Sequence, residues 1–301
     1  SSGTTSDKSK FIPITEESLN DCHFQGSKDV LSMYYNLNPD SDLLTGKGLL
    51  IGGSHQINHL NEEAHYGDLS AVLFQNTPVW ANWIRTPELS IALMDEWESK
   101  IEAIAQQTIH EDVTSMSGVP TWTMVLIKRI LEITGKQTLK EVWPNLELYL
   151  HGGVSFTPYK EQFKQLIGGN ITYLNVYNAS EGFFAAQNDP TDDGMLLFLD
   201  HGIFYEFMPI EEYGKAEPKT IGLKDVEVDK NKKLKEFSLP GNDCISAIRN
   251  ISVARMKLNR LNRTTVRNRF CQFQNRNIAI VVRRNAVSRM INYFFNVNKF
   301  S

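Results

Sequence analysis

Arginine is almost missing from the first 230 residues of this 301-residue chain, where only Arg85 and Arg129 occur. After residue 230 the shortage changes kind. Glycine falls to Gly241 alone, acids to Glu236 and Asp243, and tryptophan ends at Trp143. No apolar run approaches the ~18 residues that cross a bilayer, so we expect a soluble, cytoplasmic chain with no membrane partner. The three cysteines, Cys22, Cys244 and Cys271, are too widely spaced for a disulfide framework or a metal knuckle and suit a reducing compartment. The chain opens on Ser1 without Met, so a targeting leader is not legible in it.

What is present divides at the same place. The net charge of −4 conceals a segment 231–301 with 10 Arg and 5 Lys against its two acids, a net of +13, and residues 1–230 at −17. Twelve of the last 71 residues are Asn. Two regions follow: 1–230, with the glycine punctuation of a folded domain, and 231–301, basic and rich in Asn and Arg.

Residues 1–230 alternate strand and helix signals. Gly48-Leu49-Leu50-Ile51-Gly52-Gly53 reads as a buried strand bounded by glycines. Thr86-Pro87-Glu88 carries the marks of a helix start, and Ile91, Met94, Trp97, Ile101 and Ile104 follow at helical spacing. A second helix is predicted from about Thr121 to a stop at Gly135. Leu146–Leu150 reads as a strand, 159–166 as a helix and 171–177 as a strand. Met195–Leu199 and Ile203–Pro209 flank Asp200-His201-Gly202 as a predicted hairpin. This alternation implies an α/β fold, layered, with a largely parallel sheet and flanking helices. Beyond Lys232 only Ile278–Val282 suggests a strand.

Three segments carry chemistry. Ser1-Ser2-Gly3-Thr4-Thr5-Ser6-Asp7-Lys8-Ser9-Lys10 combines hydroxyls, a glycine and lysines, which can wrap phosphate oxygens. It lacks the Gly-Lys-Ser/Thr of a Walker loop, and a plain Ser/Thr-rich terminus would read the same way. Tyr177-Asn178-Ala179-Ser180-Glu181-Gly182 follows a strand, placing a carboxylate where α/β sheets bind ligands and where Mg²⁺ can bridge phosphates; the alternative is a solvated Glu in a turn. His151-Gly152-Gly153-Val154 follows another strand, and its glycines either admit a flat ligand or make a tight turn.

In this order and spacing the three segments resemble the auxin-responsive-promoter (Gretchen Hagen) family of acyl-acid amido synthetases, within the adenylate-forming superfamily. Gly202-Ile203-Phe204-Tyr205-Glu206-Phe207-Met208-Pro209 is similar to that family as well. The resemblance covers roughly residues 1–230. It implies that Ser2, Gly3, Thr4, Thr5 and Lys10 lie along the ATP triphosphate, with Lys10 and Glu181 catalytic. It also implies that Gly152, Gly153, Val154 and Ser155 border the adenine, that Tyr177 stacks near the base, that Ser180 binds the nucleotide, and that Glu181 holds Mg²⁺. The implied chemistry joins a small carboxylic acid to an amine, such as an amino acid, through an acyl-adenylate. Asp7 stands where many relatives have Gly. Thr114–Trp122, placed between two predicted helices, is the candidate wall of an acyl pocket or a simple connection.

The family pattern continues with a strand and a Trp-Arg-Tyr-x-x-Gly-Asp motif that binds ribose, then a small C-terminal domain; neither occurs after residue 230. At the other end the chain starts within its own phosphate loop. We therefore expect a fragment, inactive as it stands, whose segment 231–301 is an out-of-frame reading without a selected fold. The rival reading is nucleic-acid binding by the basic segment, with Phe270, Phe273, Tyr293, Phe294 and Phe295 as stacking residues. The absence of a periodic basic stripe or a known motif argues against it. His55 and His59, with Glu62, Glu63 and His65, imitate a zinc helix, but Gln56 stands where a hydrolase carries Glu. His151 and His201 are expected to be solvated in turns.

Overall fold

The computed structural model describes residues 12–53, 58–59, 65–209, 212, 215–222 and 225, and the short strands 233–236, 272–275 and 278–280. These form two compact units: residues 30–177 with 187–192, and residues 12–29 with 178–186 and the described residues from 193 onward.

The first unit is a parallel sheet with apolar layers on both faces. Strands β1 (Lys47–Leu50), β4 (Arg85–Thr86), β5 (Val113–Gly118), β6 (Leu148–His151) and β7 (Thr172–Ala179) stand in the order β7-β6-β5-β1-β4. All four neighbouring pairs are parallel. Two-residue strands β2 (Asn58–His59) and β3 (His65–Tyr66) make a small antiparallel pair whose register sets His59 opposite His65 along the backbone. Asn58 and His59 are therefore extended, and the helical face that the histidine spacing suggested is not formed there; His55, Glu62 and Glu63 lie outside the described residues.

Side chains alternate across β6, which decides the layers. Tyr149 joins one cluster with Leu49, Met116, Ile127, Trp143 and Phe163, covered by α4 (Trp97–Thr108), α5 (Pro120–Thr134) and α6 (Lys160–Ile167). Leu148 points the other way and joins Tyr34, Leu43 and Leu174, covered by the last turns of α1 (Gln25–Leu37). Burial on both faces explains why the β1 segment reads as an apolar run. The α5 helix stops where expected, at Gly135, and α6 ends at Gly168; both glycines are in the left-handed region.

Three expectations fail here, each for a local reason. The helix that Thr86-Pro87 was expected to open is two helices, α3 (Leu89–Ala92) and α4, following the seven-residue α2 (Leu69–Gln75). Thr86 belongs to β4, and the strong cap comes later: the Glu96 side chain accepts from the N–H groups of Glu98 (3.1 Å) and Ser99 (2.6 Å). Thr114–Gly118 is no loop but the body of β5, where the Thr114 hydroxyl donates to the Leu43 carbonyl at 2.6 Å and Met116 enters the core. Its Thr/Ser content masked a buried strand.

The third concerns the second unit. β8 (Gly182–Ala186) pairs antiparallel with β9 (Leu196–Leu197), whereas β10 (Glu206–Pro209) pairs with β11 (Ile221–Gly222) and β14 (Ile278–Ile280). The expected hairpin about Asp200-His201-Gly202 is therefore a connection between two sheets. His201 is buried there, its Nε2–H donating to Asp29 Oδ2 at 2.8 Å. β12 (Lys233–Glu236) and β13 (Gln272–Asn275) pair in parallel. The remainder of 231–301, including the proposed stacking residues Phe270, Tyr293, Phe294 and Phe295, lies outside the described residues.

The Trp143 indole N–H donates to the Thr108 carbonyl at 2.8 Å from a fully buried site. Trp143→Phe removes the bond, leaves the Thr108 carbonyl with the Glu111 N–H (3.1 Å) as its remaining partner and leaves unfilled volume, for a loss of about 2 kcal/mol. Urea unfolding followed by circular dichroism should show a lower midpoint with an unchanged slope.

Candidate functional site

Parallel pairing brings the carboxyl ends of the strands to one edge. Leu50 pairs with Ser117, Gly118 with His151, and His151 with Asn175. Strand order reverses at β1, whose chain goes on to β4 on one side while β5 leads to β6 on the other. Ligands of open α/β sheets bind at the carboxyl edge about such a reversal. Gly52-Gly53, Gly118, Gly152-Gly153 and Tyr177 all lie at or just beyond that edge in the first unit.

The edge is tightly built. A Cβ on Gly152 would collide with the Val176 carbonyl oxygen. Close approach of the 152–155 loop to β7 is thus what demands this glycine. Gly153 has φ +81° and is exposed, while Val154 and Ser155 are half-buried. The Tyr149 hydroxyl donates to the Gly118 carbonyl at 3.0 Å and lies 3.2 Å from Thr123 Oγ1. Burial pushes the Tyr149 phenol well above its ordinary value, which keeps that donor protonated.

His151 ends β6 and is buried rather than solvated. Its ring stacks on Phe156 at 4.1 Å and 22°, next to Tyr149. Burial, and secondarily the nearby Lys160, lower its pKa from 6.5 to about 4, so it is neutral at pH 7. Lys100 is also buried, an arrangement that helical spacing beside Ile101 did not betray. Its ammonium donates to the carbonyls of Gly52 (3.3 Å) and Gly53 (2.6 Å), fixing the loop that follows β1. Burial lowers its pKa, opposed by the charges of Asp68 and Asp95.

In the second unit Ser180 and Glu181 form the two-residue turn between β7 and β8, and both are half-buried. Gly182 has φ +154°, and a Cβ there would press on Ile203 at 2.9 Å and on Cys22 Sγ at 3.3 Å. Among the described residues no group of three or more His, Cys, Asp or Glu could hold a metal ion. Mg²⁺ takes one or two protein carboxylates and completes its shell with water and phosphate oxygens. Glu181 fits as such a hard oxygen donor. Ser2, Gly3, Thr4, Thr5 and Lys10 lie outside the described residues.

The family model for the GH3 N-terminal domain matches residues 1–172, more than half of the chain. The chain belongs to the GH3 family. Among solved structures it is similar to "AtGH3.15 acyl acid amido synthetase in complex with 2,4-DB", with TM-score 0.58 and 16% identity over 76% of this chain and 48% of that one. It is also similar to "GH3.15 acyl acid amido synthetase", with TM-score 0.55 and 13% identity over 73% and 47%. At these identities the likeness is one of fold, and the chain spans about half the length of either structure. No curated protein matches the sequence. No helix among the described residues of this GH3 chain is long and apolar enough to cross a membrane.

A pH dependence follows from His151. Its folded pKa lies below the unfolded value, so the unfolded chain binds the proton more tightly. Its contribution is complete above about pH 6.5 and is lost as the pH falls toward about 4. That window corresponds to roughly 3 kcal/mol. Burial shifts His23 in the same direction and adds to the effect. Urea midpoints measured from pH 7.5 to pH 4 should fall, and His151→Phe should flatten that fall.

Proposed function

We propose that this chain carries the nucleotide-binding part of an ATP-dependent acyl-acid amido synthetase. The observation that carries the reading is the GH3 match over residues 1–172, and the carboxylate-bearing turn after β7 is consistent with it. In this reading Ser2, Gly3, Thr4, Thr5 and Lys10 surround the ATP phosphates. Gly152, Gly153, Val154 and Ser155 border the adenine, Tyr177 stacks beside it, Ser180 binds the nucleotide, and Glu181 holds Mg²⁺. The substrates are a small carboxylic acid and an amine, such as an amino acid. A solved relative bound to 2,4-DB supports the acid class.

The reaction has two steps. A carboxylate oxygen attacks the α-phosphorus of ATP, the bond to the bridging oxygen breaks, and pyrophosphate leaves. The amine nitrogen then attacks the acyl carbon, AMP departs with the electron pair, and the amine loses a proton. Bound Mg²⁺ supplies positive charge to the departing phosphates. Lys10 adds a positive charge to the phosphate loop, and the backbone N–H groups of residues 2–5 are donors to phosphate oxygens. Neutral His151 adds no charge beside the adenine loop.

The test is ATP–pyrophosphate exchange with a panel of carboxylic acids, run on residues 1–301 and on a longer chain that carries the Trp-Arg-Tyr-x-x-Gly-Asp motif. We expect exchange from the longer chain and little from residues 1–301. Glu181→Gln should lower kcat/KM for Mg·ATP in the longer chain by 10²-fold or more, with a smaller effect on the KM for the acid. Exchange that is indifferent to Glu181→Gln would remove its assigned role.

A further inference from the structure

Two adjacent residues of the π-helical stretch Ser18–Phe24 hold the chain on both sides of the Glu181 turn. On one side the His23 Nδ1–H donates to Asn178 Oδ1 at 3.0 Å. On the other, the Phe183 N–H donates to Cys22 Sγ at 3.2 Å. Gly26, one helical turn on from Cys22, lies so close to Phe183 that a Cβ would come 2.6 Å from its ring. All of these residues belong to one compact unit. Cys22 and His23 are fully buried.

Stability alone does not account for this choice. His23 is buried with its Nε2 atom unpartnered among the described residues. An unpaired buried polar atom costs on the order of 1–3 kcal/mol, which an apolar residue would avoid. Burial also pushes the Cys22 thiol up, so it stays protonated and accepts weakly from Phe183. What the pair does achieve is geometric. Asn178 and Phe183 bracket Ser180-Glu181, and fixing both limits the directions the Glu181 carboxylate can take.

We infer that Cys22 and His23 are positioning residues that clamp the Ser180-Glu181 turn and aim its carboxylate at the nucleotide-bound divalent cation. This rests on the reading that Glu181 holds that cation. Neither residue touches the cation; each acts through the backbone or side chain beside the turn. Groups that orient a metal-binding carboxylate are worth about 10–100-fold in metal affinity.

Mn²⁺ with ATP is the probe, its binding read by electron paramagnetic resonance on residues 1–301 and on the longer chain. Hydrogen exchange at amides 179–183 is measured alongside. His23→Gln removes the donor at the Nδ1 position and should weaken Mn²⁺ binding about 10-fold while speeding exchange at the turn. His23→Asn restores a donor there and should recover most of both. Cys22→Ala should act like His23→Gln, with the larger exchange change at Phe183.

Glu181→Gln separates the two ideas. Loss of Mn²⁺ binding in Glu181→Gln but not in folded His23→Gln or Cys22→Ala would overturn the clamp alone. Unchanged binding in Glu181→Gln, or no binding by either unaltered chain, would overturn both. If His23→Gln fails to fold, the contrast between wild type and His23→Asn decides. Recovery supports the clamp, and weak binding by a stably folded His23→Asn overturns it.

Discussion

Backbone pairing between parallel strands sets the level at which the chain can do chemistry. Because Leu50, Ser117, His151 and Asn175 are tied to neighbours in consecutive register, the loops after β1, β5 and β6 leave the sheet together. A shift of one residue in β6 would exchange Tyr149 for Leu148 on the helical face and carry His151 out of its stack. It would also pull Gly152 away from the Val176 carbonyl, where nothing larger fits. The apolar layers on both faces make such slips expensive, so the edge inherits its rigidity from the core.

Much of this was legible in the sequence because parallel strands and amphipathic helices announce themselves by composition. The β1 run, the α5 stop at Gly135, the existence of α6 and the β7 strand leading into Ser180-Glu181 were all readable. The errors arose where a local signal competed with a tertiary one. Thr86-Pro87-Glu88 looks like a helix cap, yet pairing with β1 claims Thr86 for a strand and the Glu96 carboxylate caps the true helix. Thr114-Ser115-Met116-Ser117 looks polar, yet hydroxyl-to-carbonyl bonding such as Thr114 to Leu43 makes it buriable.

Of the candidate site, the glycines and the carboxylate could be named from sequence, but the groups that hold them in place could not. Lys100 sits on a helix where a lysine ordinarily faces water, and only the fold reveals the two carbonyls that receive its ammonium. His23 and Cys22 are 155 and 161 residues from the partners they hold. No pattern in one chain connects such distances. Supporting groups are therefore systematically less legible than the groups they support.

A common feature links the two units: each buries a histidine that burial keeps neutral, His151 under Phe156 and His23 beside Asn178. Both sit next to loops that the proposed function assigns to a highly anionic substrate, where a cationic imidazole is the obvious choice. A neutral ring is the better one for positioning. Its hydrogen bond and stacking geometry do not change with the charge of the bound nucleotide, and it does not compete with a divalent cation for phosphate oxygens. The cost appears at low pH, where the same burial that holds these rings neutral makes protonation favour the unfolded chain.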